Sequence, residues 1–373
     1  MSLPELFPSR IFLRLALAVL PAISLYGEIH FNQVGFRMEG VKVAIIDSNT
    51  QPYFQVLRDQ DDEVVMTGVF YEDAKIWDPS GTSAQTADFT DLLTPGIYHL
   101  SAGSEVSDPI IVDNRPYREL ARSSLRYFYY SRASTAIREP WAEGWPRLAG
   151  HPDTTVHVHS SAASEARPEG TVISAPRGWY DAGDYNKYVV NSGISTYTLL
   201  LLYALFPEEY RGLSLNIPES GNALPDILDE VKWNLDWLLA MQDPNDGGVY
   251  HKLTTENFAG FVMPDEATAE RYVVKKSITA TYDFAAVTAF AARVFASLDS
   301  DYAAALLTAS EAAYAWGLDN DLNPNAVYSN PPGITTGEYG DTDPTDEKMW
   351  AATELLITTG KPIYEDNGLA AAN

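Results

Sequence analysis

The sequence predicts two units of different class, a small antiparallel β-sandwich followed by a domain of packed helices. Three observations carry this. From Glu28 to about Asp113, short runs such as KVAIID, YFQVLRD, EVVMTGVFY and GIYHLSAG are rich in β-branched and aromatic residues, and Gly, Pro, Asp and Ser separate them. After Pro116 the apolar residues recur at helical spacing. With 373 residues, 46% hydrophobic and 20% charged, the composition is that of an ordinary globular protein with room for more than one core.

The elements follow in order. Arg10 and Arg14 lead into the apolar run LALAVLPAISLYG, too short for a bilayer span, so residues 1–27 read as a secretory signal peptide cleaved between Ala22 and Gly27. The mature chain is expected to be secreted, extracellular or periplasmic, and not held in a membrane. Residues 28–114 form the sandwich, and residues 115–373 the helical domain. YRELARSSLRYFYYSRAS has helical spacing, with Leu120, Ser124, Tyr127 and Phe128 near one face. A long loop from about Glu139 to Arg177 comes next. GISTYTLLLLYALF is apolar almost all round, which predicts a fully buried inner helix. LPDILDEVKWNLDWLLAMQ places Ile227, Leu228, Val231, Leu235, Leu238 and Leu239 on one stripe, with Pro225 near its start. Two Ala-rich helices then meet at a short turn, Asp299 to Ser300, and TDEKMWAATELLITTG ends on Gly360. Alternating short and long connections fit a barrel or toroid of helical hairpins.

The 25 Lys and Arg against 51 Asp and Glu give a formal net charge of -26, which repels phosphate backbones and anionic lipid and favours a neutral ligand. With no cysteine, disulfides, thiolate catalysis and Cys-ligated zinc are excluded.

One stretch stands out for chemistry. GWYDAGDYNKYV, residues 178–189, sets Asp181 and Asp184 three apart among Trp179, Tyr180, Tyr185 and Tyr188. Spacing alone favours the plainer reading, an Asx-turn capping the helix that starts near Lys187. Its aromatic surroundings suit stacked sugar rings, and inverting glycoside hydrolysis needs a carboxylate base for water on one side of the sugar and a protonated acid on the other. Phe258 and Phe261 in NFAGF suit either stacking platforms at a cleft or core positions, and the core reading is slightly favoured. His151, His157 and His159 in GHPDTTVHVHSS read as ordinary loop histidines, not a zinc site. Glu219, Asp226, Asp229 and Glu230 read as structural, capping a helix or pairing with bases. GDTDPTDE clusters Asp341, Asp343, Asp346 and Glu347, hard oxygen ligands of the kind calcium takes, although the residues alone favour a solvated acidic loop capping the helix.

Taken together, IHFNQVGF, DNRPYRELARSSLRYFYYSR, RGWYDAGDYNKYVVNSGIS, IPESGNALPDILDEVKWNLDWLLAMQ, DGGVYHKLT and TTGEYGDTDPTDEKMWAATELLITTG, in this order, closely resemble glycoside hydrolase family 9. The likeness is to its cellulase branch, with an immunoglobulin-like domain ahead of the catalytic module. It implies an (α/α)6 barrel after the sandwich and endo-acting hydrolysis of β-1,4-glucans, cellulose-type polysaccharides or cello-oligosaccharides, with inversion. Asp184 is then the general base and Asp181 helps hold the water. Trp179, Tyr185, His251 and Phe261 are the expected sugar contacts. Structural calcium at Asp343, Asp346 and Glu347 is expected, and no organic cofactor. The family's acid is a glutamate in a C-terminal segment that this sequence does not show before Asn373, so the barrel reads as incomplete and residues 1–373 alone are expected to hydrolyse glucan poorly. Alternative readings are an exo-glucosaminidase, a xyloglucan or mixed-linkage glucanase, or a carbohydrate-binding protein without catalysis.

Overall fold

The computed structural model describes residues 28–47, 51–70 and 73–372, with side-chain surroundings up to 368; the leader-like segment 1–27 lies outside the described residues. The chain divides into two compact units, one up to Leu120 and one from Ala121.

The first unit is built from β1 (Ile29–Phe31), β2 (Phe36–Arg37), β3 (Val43–Asp47), β4 (Tyr53–Arg58), β5 (Val64–Val69), β6 (Lys75–Trp77), β7 (Thr82–Asp88), β8 (Gly96–Ala102), β9 (Glu105–Val106) and β10 (Ile110–Asp113). They form two sheets, ordered β1-β3-β7-β6 and β2-β10-β8-β4-β5, with β9 on β8. Alternation selects the faces. In β3, Ala44 and Ile46 are buried while Val43 and Ile45 are exposed, and β8 and β10 alternate likewise. Phe36, Phe54, Val56, Phe89, Tyr98 and Leu100 fill the space between. The expected sandwich is present, with one difference: β2 pairs β10 in parallel. Lys42 is fully buried, and its ammonium donates to the carbonyls of Met38, Gly40 and Thr90 at 2.7, 2.8 and 3.0 Å. These bonds replace the water that burial removes.

The second unit contains α1 (Arg118–Ser131), β11 (Val156–Val158), β12 (Val172–Ile173), β13 (Lys187–Tyr188), α2 (Val189–Leu205), α3 (Pro207–Tyr210), α4 (Asp226–Met241), β14 (Lys252–Thr254), β15 (Tyr272–Val273), α5 (Ile278–Phe295), α6 (Ser300–Asp319), α7 (Thr345–Thr359) and α8 (Pro362–Ala372). The centre is α5, buried around nearly its whole circumference and flanked by α2, α6 and α7. Its alanines permit that closeness, and Gly317 of α6 leaves room for the Tyr282 ring, which would lie 2.4 Å from an added Cβ. Ser277 caps α5 by accepting from the Ala280 N–H, and Asp299 caps α6 by accepting from Tyr302. Gly360 ends α7 in the left-handed conformation, as its position predicts. The α4 stripe faces the core as expected.

Two helices depart from expectation. On α1 the buried residues are Leu125, Arg126 and Tyr129, whereas Leu120 and Tyr127 are half exposed. Arg126 turns inward because carbonyls await it: its guanidinium donates to Leu215, Asn216 and Trp141. Helix α2 is buried on one side only, through Ser192, Gly193, Thr196, Leu199 and Leu200, while Ile194 and Leu205 are exposed. Small residues at helical spacing choose the packed face there, overriding total apolarity. A third sheet, β12-β11-β15-β14-β13, is absent from the sequence reading, because two- and three-residue strands leave no periodicity.

Phe54 lies opposite Gly68 on β5, and a Cβ at Gly68 would meet its ring atoms at 2.1 to 2.8 Å. Gly68→Ala is expected to destabilise the sandwich by about 1–3 kcal/mol through overpacking, read as a lower midpoint in urea unfolding.

Candidate active site

The two aspartates sit on the loop between β12 and β13, and backbone bonds to the end of α1 fix its entry. Ala133 N–H donates to Gly178 O at 2.8 Å and Tyr180 N–H to Ser131 O at 2.9 Å. The loop closes on itself through Asp181 N–H to Asn186 O, 3.1 Å. Gly178 begins it at φ +77, with Trp237 2.8 Å from where a Cβ would be, so both conformation and space demand glycine.

The carboxylates are held differently. Asp181 accepts on both oxygens, from Asn191 Nδ2 of α2 at 2.8 Å and from the Tyr339 hydroxyl at 3.0 Å. Asp184 accepts on Oδ2 alone, from Asn186 Nδ2 at 2.7 Å, Tyr188 OH at 3.1 Å and Asn186 N–H at 3.3 Å. Its Oδ1 has no hydrogen-bond donor among the described residues. The Asx-turn is therefore real, but it caps nothing: α2 begins after Tyr188, with no side-chain cap. Burial, and then the Asp184 charge, raise Tyr188 above the ordinary phenol range, which keeps it a donor.

Asn186 is oriented from behind. Its Oδ1 accepts from Thr255 N–H at 3.0 Å and Thr254 Oγ1 at 3.1 Å, so the amide nitrogen must face Asp184. Beneath it lies a buried ionic group. Asp153 pairs with Lys187 at 2.8 Å and with Arg271 at 3.1 Å, all three nearly inaccessible. Burial would raise the Asp153 pKa, but Lys187 and Arg271 overcome this and hold it below the usual carboxylate range.

The expected sugar contacts separate. Tyr185 is half-buried, and its hydroxyl donates to the Val262 carbonyl. It lines a cavity of about 570 Å³ with His151, Asn186, Phe258, Arg271 and Tyr272. Trp179 is 4% exposed, its ring against Phe128, and borders a recess of about 70 Å³ that Asp181 also lines. Phe258 is half exposed and Phe261 completely so, which corrects the core reading: the 257–263 loop lies at the surface. His251 has no exposed surface. Its Nδ1 bonds Ser277 Oγ at 2.7 Å, Nε2 donates to Glu338 O at 2.9 Å, and the ring stacks on Tyr328 at 3.5 Å. Burial drops its pKa to about 3, so it is neutral. It supports the stretch that carries Tyr339.

Tyr339, Asn191 and Asn186 escaped the sequence reading. The signal was there for Asn186, inside the quoted run, and for Tyr339, inside TTGEYGD, but which hydroxyl meets which carboxylate depends on contacts 158 residues apart. Other acids are structural, as read: Arg132 pairs with Glu219 and Glu230, and Asp226 Oδ2 accepts from Leu215 N–H at 2.7 Å. His157 pairs with Glu270, and His159 accepts from Ser161 N–H, so these two histidines do not converge. His151 bonds the Tyr180 hydroxyl at 2.9 Å.

At the start of α7, Asp343 Oδ1 accepts from Thr345 N–H at 3.2 Å. Among the described residues no three His, Asp or Glu side chains are arranged to hold a metal ion. Even so, Glu347 Oε2 is buried without a partner, and burial together with Asp346 and Asp341 raises Glu347 to about 7. Such a carboxylate fits a hard cation that draws its other ligands from backbone oxygens.

A β-sandwich before a helical domain, with paired aspartates on an aromatic loop, fits the class of multidomain glycoside hydrolases. The profile of glycosyl hydrolase family 9 matches residues 117–372 and that of the cellulase N-terminal ig-like domain residues 26–107, and the chain belongs to this family. It is 44% identical over 371 residues to the xyloglucan-specific endo-beta-1,4-glucanase BoGH9A of Bacteroides ovatus, covering 96% of this chain and 62% of that protein. Against endoglucanase D of Acetivibrio thermocellus it is 33% identical, covering 90% of this chain and 52% of the relative. Among solved structures, a Bacteroides ovatus GH9 protein superposes with a TM-score of 0.86 at 43% identity, over 92% of this chain and 64% of that one. The chain thus spans less than two thirds of these relatives, and its helical unit corresponds to part of an (α/α)6 barrel.

Tyr339→Phe keeps the ring on Tyr188 (4.8 Å between centroids) and removes the hydroxyl that meets Asp181 and Asn191. A hydrogen bond to a charged group is worth about 1.5–3 kcal/mol. If Asp181 works in the reaction, kcat on soluble glucan should fall by at least roughly tenfold, with KM and melting temperature nearly unchanged.

Proposed function

We propose that this chain supplies the base-and-water side of an exported endo-β-1,4-glucanase that hydrolyses with inversion. The asymmetry of Asp184 carries the reading. Donors crowd its Oδ2, while Oδ1 is left to accept a proton from water. Asp181, engaged on both oxygens, is a positioning carboxylate for the attacking water. The reaction balances simply: water adds to the anomeric carbon as the glycosidic C–O bond breaks, its proton passes to Asp184, and the departing oxygen takes a proton from an acid opposite. The cavity beside Tyr185 and Phe258 offers aromatic faces for sugar rings. Because a relative of 44% identity is xyloglucan-specific, branched glucan is tested beside cellulose.

Asp184→Ala is expected to lower kcat by about 10²–10⁴-fold, with azide restoring part of the rate by taking the place of water. NMR should show the α-anomer first. A variant that keeps full rate would refute the assignment, and initial rates on xyloglucan, mixed-linkage glucan and carboxymethyl cellulose rank the substrates.

We further propose that Asp346 and Glu347 hold a structural calcium with nearby backbone carbonyls, Asp343 shaping the turn before them. Calcium should then raise the melting temperature relative to chelator, and Glu347→Gln should abolish the difference.

A further inference from the structure

The outward face of the sheet β1-β3-β7-β6 combines features that a merely solvated sheet face does not need. Residues directly opposite in neighbouring strands share a face, and the register sets out three rows: Trp77 with Thr82, Lys75 with Ala84 and Asp47, and Thr86 with Ile45 and His30. They line a groove of about 1020 Å³, to which Asp88 also contributes. Trp77 is 66% exposed at the edge of this groove, where the chain turns tightly through Ser80 and Gly81, both of which donate to the Trp77 carbonyl. The exposed indole at the rim of this groove offers a flat apolar face on which a ring can stack.

Its chemistry selects the occupant. The cores of protein interfaces are depleted in charged residues, yet here the central row runs from Lys75 to Asp47. Asp47 and Asp88 are acceptors suited to hydroxyl donors, and with Asp73 they outnumber Lys75, so an anionic ligand is repelled. Ala84 and Ile45 give a low apolar floor beside the indole. An aromatic platform, a flat floor and carboxylate acceptors together match an uncharged sugar chain.

We propose that this face of the N-terminal unit is a second glycan-binding surface, distinct from the Asp181–Asp184 loop, on which a neutral β-glucan stacks one ring on Trp77 and donates hydroxyl hydrogens to Asp47 and Asp88. The choice of β-glucan rests on the glucanase reading above, whereas the surface itself does not.

The test is native affinity electrophoresis of the full chain in gels containing xyloglucan, hydroxyethyl cellulose or anionic polygalacturonate. Trp77→Ala and Ala84→Arg, both at the groove and in the unit that does not carry the loop, are compared with Asp184→Ala and the parent, and sedimentation checks each for self-association. The parent and Asp184→Ala should be retarded by the neutral glucans only. Both groove variants should lose about tenfold in affinity, equivalent to ~1.4 kcal/mol, with hydrolysis of a short soluble substrate unchanged. Retardation equal in parent and groove variants, or a parent that is not retarded, overturns the proposal. So does a groove variant whose only change is from dimer to monomer, since the face would then be a self-association surface. Undiminished hydrolysis by Asp184→Ala would instead strike at the catalytic assignment, a result independent of the groove variants.

Discussion

The buried ionic group of Asp153, Lys187 and Arg271 is the constraint on which the site depends. Charges removed from water persist only when paired and hydrogen-bonded, and here the pairing joins distant parts of the chain: the loop before β11, the strand β13 and the start of β15. Lys187 follows Asn186 directly, so anchoring its ammonium also fixes the backbone behind Asp184. The same lysine donates to the carbonyls of Ala175 and Arg177, drawing the approach to Gly178 into place. A hydrophobic residue of similar volume would fill that space, but it would tie together none of these segments.

From this anchor the site is assembled in layers. Asn186 converts a commitment to Thr254 and Thr255 on one side into a donor toward Asp184 on the other. Tyr188 reaches the same oxygen and accepts from Gly337 N–H at 3.2 Å, coupling the loop to the stretch that carries Tyr339. His251, neutral and enclosed, holds that stretch through the Glu338 carbonyl. The difference between the two aspartates, one engaged through both oxygens and one through a single oxygen, therefore comes from packing around them and not from their own sequence.

This explains which parts were legible beforehand. Alternation in β3 and β8, the stripe on α4 and the cap at Gly360 are local properties, and local spacing reveals them. The pair Asp181 and Asp184 was visible because acids among aromatics are conspicuous, and the order of the longer motifs indicated the family. What stayed hidden depends on partners remote in sequence. Arg126 turned the buried face of α1 away from its apolar stripe, and the short strands β11 to β15 carry too few residues for any period. His251 was expected as a sugar contact through the family resemblance alone, whereas Ser277, Tyr328 and Glu338 enclose it.

The bond from Asp181 N–H to Asn186 O has a consequence of its own. It turns the stretch between them into a small ring of main chain, with Gly183 at its open side where no neighbour lies within 4 Å. The offset between the carboxylates is then a property of that ring more than of side-chain rotamers. A residue added between the two aspartates would change the ring size and misplace both acids at once, while substitution at the solvent-facing Ala182 would leave their spacing alone. The motif is thus strict in length and permissive in composition at its tip, a unit that chain lengthening disables and point change largely spares.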